Sequence, residues 1–594
     1  MSNSSVTGNI GPHRISIEGD FGPFQAAISG RADGEGIWVA TVTLIATQPA
    51  TPHGELKILW KQPLLRTHGI WHSNIRSNRA ITLDDYARLT SRATNQAPVI
   101  CSFDEHGRNA MTFACADALH TIQSHAFAAP PGFLECNIFP FRRPMAAATK
   151  HEFVFRIDTR ELPYHRVLAD VATWWEQQPG YGAAPVPEHA RLPMYSTWYS
   201  YLQKLNVPSI LNQCKLAREI GCESIIVDDG WQTVDEIMGY RHCGDWEPTN
   251  IPDMAGFVNS VHETGLKFLL WYGTPLIGHA SKAYAKYKNM MLYDMGWTPC
   301  SVFDPRYTEM REYLIAKLET QTRDWKLDGL KLDFVDLFVP PPAPNQYSNA
   351  SPQGRDFEGV PEAGDYLLTQ IMERLRKIRP DVMIEFRQWY TGPLMRKYGN
   401  MLRAADCPDC FTNNRLRILD IRLLAGNTPA HSDMLEWHVD APVEFAAMQL
   451  LHVLFSVPQI SVLLDKIPPS HTAMLKFWLS FWRDNRDVLL DGDLEPLMPE
   501  FLYPVVRSTT ANKRVLAIYK MDTVAHVGAN VPRELLIVNA TEQPYVTLEI
   551  ADALASRRMR VYSTTGECVS DTSVKLSAGL QRLSVPAAGL IRLE

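Results

Sequence analysis

The chain lacks several devices that would assign it a class at once. Nowhere in its 594 residues is there a run of the roughly 18 to 20 uninterrupted apolar residues that a bilayer requires, so no membrane partner is expected. The first residues, MSNSSVTGNI, carry neither the basic n-region nor the apolar h-region of a secretory signal. Ten cysteines are scattered from Cys101 to Cys568 without repeated spacing, which excludes a disulfide framework and suits a reducing compartment. A cytoplasmic location is expected. Neither GxGxxG nor GxxxxGK[ST] occurs, so the usual nucleotide-phosphate loops are missing. Positive charge is short as well: 58 Lys and Arg face 65 Asp and Glu, a net charge of −7, the wrong sign for a phosphate backbone. Nucleic acid is therefore not an expected partner.

What is present is an ordinary globular composition, 45% hydrophobic and 21% charged, able to bury extensive cores. At about 150 residues per domain the length allows roughly four domain-sized units, or fewer if one is a large α/β barrel. The 15 Trp and 21 Tyr fill cores, but such flat amphipathic rings also stack on sugars.

From His13 to about Asp158, short alternating runs such as IWVATVTLIA (37–46), LKILW (56–60) and HEFVFRID (151–158) predict a large β-sandwich. ELPYHRVLADVATWWEQQ (161–178) has helical spacing, and the Pro/Gly-rich PGYGAAPVPEHARLP follows it as a linker. Strand-like runs then alternate with amphipathic helices. The runs are YSTWYSY, SIIVDDGW (224–231), KFLLWYG (267–273), GLKLDFVD (329–336), VMIEFRQW (382–389), MLRAAD (401–406), a weaker one before NTPAHSDM, and VPQISVLL (457–464). Eight such units fit a (β/α)8 barrel. Beyond about Leu490, VLAIYKM, RELLIVNA, YVTLEI, RRMRVYS and LQRLSV read as a smaller antiparallel β-sandwich. The expected domains are 1–185, an N-terminal sandwich with its linker helix; 186–490, the barrel; and 491–594, the C-terminal sandwich. PPPAP (340–344) reads as a short Pro-rich loop.

Polar residues at the C-terminal ends of barrel strands converge on one mouth. Here three strands end in aspartates: Asp228 and Asp229, Asp333, and Asp406. A carboxylate after an apolar strand is costly to bury unless paired, bonded or functional. One alone could simply cap the next helix. Four at matching positions point to a site, and Lys331, two residues before Asp333 on the same strand face, would keep it ionised. Paired carboxylates with Trp198, Trp231 and Trp271 nearby are what glycoside hydrolysis needs, although each Trp taken singly reads as core.

At these residues the sequence resembles glycoside hydrolase family 36, the α-galactosidases in the clan of family 27 and the raffinose synthases. The blocks are IIVDDGWQ (225–232), GDW (244–246) followed by GLKFLLWY (265–272), and GLKLDF (329–334), in family order over about residues 190–465. The resemblance implies a retaining hydrolase of terminal α-galactosides, with Asp333 as nucleophile and Asp406 as acid/base. It implies that Lys331 binds a sugar hydroxyl and holds Asp333 as the anion. It also implies that Asp228 and Asp229 accept from the galactose hydroxyls at carbons 4 and 6, that Trp198 and Trp271 line the pocket, and that Arg403 matches an arginine before the acid/base. His431 resembles a family histidine with either a substrate or a structural role. Asp333 and Asp406 are expected roughly 5 to 6 Å apart, near the retaining range.

The chain also departs from the family pattern. RAADCPDC replaces a Trp-x-Ser-Asp-Asp block, which leaves Asp409 as a rival to Asp406. IEFRQWY (384–390) replaces a glycine-rich block and brings Arg387, and with it Trp389, near the sugar or its leaving group. Gly273, Thr274 and Pro275 stand where an acidic residue and proline are usual. Cys407 and Cys410 have no second CxxC to complete a zinc site and read as loop thiols beside Asp406. No metal or organic cofactor is implied, since two carboxylates suffice. A galactosyl transferase like raffinose synthase, an α-N-acetylgalactosaminidase and a silent sugar-binding protein stay open, and relatives are often oligomers.

Overall fold

The protein is described here by a computed structural model covering residues 4–52, 55–74, 79–81, 88–142, 147–234, 240–339, 353–387 and 392–594. The PPPAP run and Trp389 lie outside the described residues.

Residues before the linker helix form two six-stranded antiparallel sheets, one from Ser4–Ile10 to Leu89–Ser91 and one from Gln25–Ala32 to Gly69–His72. Alternation turns Ile15, Ile17, Val42, Leu44, Ile58, Trp60, Phe113 and Phe155 into a shared core. Trp60 stacks on Phe155 across it, with ring centroids 5.7 Å apart. The helix Tyr164–Glu176 buries Val167, Leu168, Val171, Trp174 and Trp175, and the Trp175 Nε1–H donates to the Cys115 carbonyl at 2.8 Å, so the helix is fastened to the sandwich that precedes it.

Eight parallel strands follow: Met194–Ser196, Ser224–Val227, Lys267–Gly273, Gly329–Asp333, Met383–Phe386, Met401–Arg403, Ala430–His431 and Gln459–Ile460. Six of them lie within strand-like runs of the sequence; the first begins one residue before YSTWYSY, and the seventh lies inside NTPAHSDM, not before it as expected. The last strand pairs with the first, and a parallel bridge from His431 to Val457 closes the ring. The fold is thus a central (β/α)8 barrel between two β regions. Met194, Ile226, Leu269, Met383 and Met401 fill the barrel floor. Gly329 is required there, because a Cβ would stand 2.4 Å from the Met383 carbonyl oxygen and 3.0 Å from the Leu269 side chain. After the third strand the chain adds a small antiparallel sheet, Leu276–Gly278, Cys300–Phe303 and Met291–Asp294, which the sequence pattern did not separate from the barrel.

The C-terminal region packs a seven-stranded sheet on a three-stranded one. Its strands are antiparallel except for two neighbouring pairs, Lys513–Ile518 with Glu534–Asn539 and Val524–His526 with Tyr545–Ile550. The parallel pairs arise because the chain crosses to the second sheet at Val524–His526 before returning beside Lys513–Ile518. The three regions meet in a buried polar knot: the Trp71 Nε1–H donates to Tyr503 and to Asp420, and the Arg79 guanidinium pairs with Asp420 at 2.5 Å. Among the described residues no helix is long and apolar enough to cross a membrane.

Candidate active site

The second barrel strand ends at Val227, and the chain then turns sharply through Asp228, Asp229 and Gly230. Gly230 has φ 116°, and a Cβ there would stand 2.7 Å from the Gln203 backbone. This close approach aims both carboxylates inward. Asp228 accepts from Lys331 Nζ at 2.5 Å. Asp229 accepts from Gln203 Nε2 at 2.7 Å and Gln232 Nε2 at 2.6 Å. Burial, reinforced by Asp228 and Asp333 and opposed by the two glutamines, pushes the Asp229 carboxyl up to about 6.

Asp333 closes the fourth strand. The next residue, Phe334, takes a left-handed φ of 62°, which lays its N–H against Asp333 Oδ1 at 2.7 Å. Trp271, on the neighbouring strand, donates its Nε1–H to Asp333 Oδ2 at 3.0 Å. The Arg387 Nε–H donates to Asp333 Oδ1 at 2.9 Å, and Arg387 Nη1 lies 3.4 Å from Asp406 Oδ2. One guanidinium therefore touches both carboxylates. Burial alone would raise the Asp333 carboxyl, but Arg387, then Lys331, then the Trp271 bond outweigh it and hold it below its ordinary value. Lys331 thus acts on Asp333 at a distance; the direct cation, contrary to the expectation from strand spacing, is Arg387. Lys331 is itself only 2% exposed, and its ammonium pairs with Asp228.

Asp406 follows the sixth strand. Its Oδ1 accepts from Arg403 Nη2 at 2.8 Å, and its side chain is 38% exposed. Burial would raise it, yet Arg403, Arg387 and Lys331 together hold it well below the carboxylate range. Asp409, its rival, sits exposed in the following turn at φ 56°, and Asp406 is the one that shares a cation with Asp333.

Three of the candidate site residues, Arg403, His431 and Trp231, are fully buried. Arg403 is fully buried beneath Asp406, enclosed by Asp433, Glu385 and Asp406, so it orients carboxylates and does not face the cleft. His431 is fully buried too; its Nε2 bonds the Ala190 carbonyl at 2.8 Å, at the end of the barrel away from the mouth, and burial pushes its imidazole down to about 3. Trp231 has no exposed surface and packs against Trp246, Tyr272 and Trp325 behind the site, its Nε1–H bonded to the Trp271 carbonyl at 2.8 Å. Trp198 is half-buried at the start of a short helix just after the first strand, and Trp271 is buried with its indole on Asp333.

The structure also adds residues that the sequence reading missed. Asp433, two positions past His431 on the same strand path, is fully buried and accepts from Arg403, from the Tyr199 hydroxyl at 3.0 Å and from the Cys407 N–H at 2.6 Å. The signal was the Asp in NTPAHSDM, adjacent to the histidine that drew attention. Tyr240 stands beside Trp271 and Phe334, and Glu436, past the seventh strand, is pushed up to about 7 by burial, Asp409 and Asp433. A separate cavity of about 250 Å³, lined by Arg92, His120, Arg306 and Glu362, lies between the first sandwich and the barrel and contains none of these aspartates.

Residues 186–412 match the family model described as "Glycosyl hydrolases family 31 TIM-barrel domain". The α-galactosidase Mel36A of Lactobacillus acidophilus is 26% identical over 153 residues, 24% of this chain and 20% of that protein. α-Galactosidase 1 of Pediococcus pentosaceus is 25% identical over 177 residues, 28% of this chain and 23% of that protein. The chain therefore spans only about a fifth of the length of these curated relatives. Among solved structures, a variant of the family 36 α-galactosidase AgaA of Geobacillus stearothermophilus, in complex with raffinose, superposes with a TM-score of 0.64 at 14% identity, covering 100% of this chain and 86% of that one. This last likeness is one of fold.

Proposed function

We propose that the protein is a glycoside hydrolase that removes terminal α-linked galactose with retention of configuration, a relative of the family 36 enzymes. The observation that carries this reading is the pair Asp333 and Asp406, facing each other across one guanidinium at the barrel mouth. The matched family model is of family 31, while the matched relatives and folds are α-galactosidases of family 36. The Asp228–Asp229 pair and the Lys331-x-Asp333 strand favour the second.

In this reading Asp333, kept ionised by Lys331 and the Trp271 hydrogen bond once Arg387 has moved aside, attacks the anomeric carbon and forms a glycosyl ester as the glycosidic C–O bond breaks. Asp406 gives its proton to the departing oxygen, then takes one from the water that releases the sugar. The two inversions retain the α configuration. Asp228, Asp229, Trp198 and Trp271 form the galactose pocket. Arg387 bridges Asp333 and Asp406 where the scissile bond would lie, and the sugar seats between the two carboxylates by displacing it. That displacement bares Asp333 and removes one of the two cations nearest Asp406, which lifts Asp406 toward the proton affinity that an acid needs.

The test is a panel of α- and β-linked galactosides, glucosides and N-acetylgalactosaminides, with the first-formed sugar followed by proton NMR. Release of α-galactose from α-galactosides alone supports the proposal. Cleavage of α-glucosides in preference, or first release of β-galactose, overturns it, and net transfer to a second sugar replaces hydrolase with transferase.

A further inference from the structure

The small sheet inserted after the third barrel strand carries a hairpin whose tip, between Met291–Asp294 and Cys300–Phe303, holds Trp297. The insertion leaves the barrel at its mouth, where the Thr274 N–H bonds the Asp333 carbonyl at 3.1 Å. Trp297 is 63% exposed. Tryptophan is among the largest apolar surfaces a protein can leave in water, and a polar residue would serve a hairpin tip as well.

Its inward neighbour is Tyr240, met edge-on with ring centroids 5.8 Å apart and planes at 88°. An edge contact at this exposure leaves a face of the indole open. Tyr240 in turn meets Phe334 at 5.3 Å and Trp271 at 6.3 Å, and the latter bonds Asp333. The rings form a continuous ladder from the proposed nucleophile to the rim, with the buried steps nearest the carboxylates and the open step outermost. A pyranose presents flat C–H faces that stack on such a ring, and this stacking carries no charge requirement.

We propose that Trp297 is the platform for the second ring of an oligosaccharide substrate, the sugar on the leaving-group side of the cleaved bond. The inference rests on the α-galactosidase reading and extends it from the terminal galactose to what that galactose is attached to. Trp297 sits one aromatic ring outward from the pocket wall, so it selects for substrates with at least one further sugar and is indifferent to a leaving group that has no ring.

The experiment compares wild type, Trp297→Ala and Trp297→Phe on raffinose and on α-galactosyl fluoride, with galactose as a competitive inhibitor and a melting curve for each protein. Trp297→Ala should lower kcat/KM for raffinose about 5- to 10-fold, mainly through KM, with Trp297→Phe recovering much of the loss. The fluoride rate, the galactose inhibition constant and the melting temperature should stay at wild-type values. Equal loss on both substrates, or loss on neither, overturns the subsite while leaving the α-galactosidase reading intact. A wild-type protein that cleaves neither substrate overturns the reading and the subsite with it.

Discussion

Inside the barrel, two adjacent layers of inward-facing side chains follow opposite rules. The floor is Met194, Ile226, Leu269, Met383 and Met401, packed without a polar group among them. Two residues further along the same strands stand Ser196, Asp228, Trp271, Glu385 and Arg403, and the fourth strand changes from Gly329 to Lys331. Because strand side chains repeat with a period of two, one step toward the mouth takes these six strands from apolar packing to polar or hydrogen-bonding chemistry. The floor is held by shape, whereas the mouth is held by charges that compensate one another while almost closed off from water. Removing a side chain from the floor therefore leaves a void; removing one from the mouth leaves an uncompensated charge.

The strongest way to break this comparison is at Asp333. Asp333→Ala should lower kcat on an α-galactoside by on the order of 10^4-fold or more with the fold intact, as read by turnover and circular dichroism. Asp406→Ala should cost roughly 10²- to 10⁴-fold on substrates with poor leaving groups, with partial rescue by azide. If Asp409→Ala behaves this way instead, the acid/base assignment passes to Asp409.

Arg403→Met tests the mouth as structure. It strips a buried cation from Asp433, Glu385 and Asp406, and should destabilise the protein by about 3–5 kcal/mol in chemical denaturation. Met383→Ala, one layer below, should cost about 2–4 kcal/mol through a cavity and leave kcat per folded molecule near wild type. If Met383→Ala lowered kcat as much as Arg403→Met does, the two layers would not be separable.

The smallest effect is in pH. Burial, partly offset by Arg403 and Lys331, pushes the Glu385 carboxyl up from 4.5 to about 6. Its folded value is raised, so its contribution to stability is full below 4.5 and is lost as pH rises through 6. Asp333 and Asp406 are lowered, so theirs is present above the ordinary 3.8 and lost as pH falls through their folded values. The melting temperature of Glu385→Gln relative to wild type should therefore climb between pH 4.5 and 6. A flat difference would place the proton elsewhere.

Much of this architecture was legible in the sequence. Most barrel strands announced themselves as apolar runs, because a strand covered on both faces has few polar positions to interrupt it, while the two-residue seventh strand, Ala430–His431, was too short to do so. The aspartates stood out because they ended such runs. What could not be read was which charge meets which. Lys331 lies two residues from Asp333 but reaches across to Asp228, and Arg387, 54 residues away in sequence, supplies the contact expected of the lysine. Pairing across a barrel depends on strand tilt and side-chain reach, which no local pattern encodes. The same limit hid Asp433 behind His431 and made Trp231 look like a pocket wall, since a tryptophan near a strand end has the same spacing whether it faces the cleft or the helices.

Trp231 has a consequence of its own. Its indole N–H fixes the Trp271 carbonyl, and the Trp271 indole fixes Asp333, so the carboxylate is tied through two rings to the tightly packed interior behind it. A group in solution must reorient its surroundings each time charge shifts, and that reorganisation is a large part of a barrier. Here the rings behind the carboxylate were oriented when the chain folded, and fully buried Trp231 is part of why that side of Asp333 has little left to rearrange.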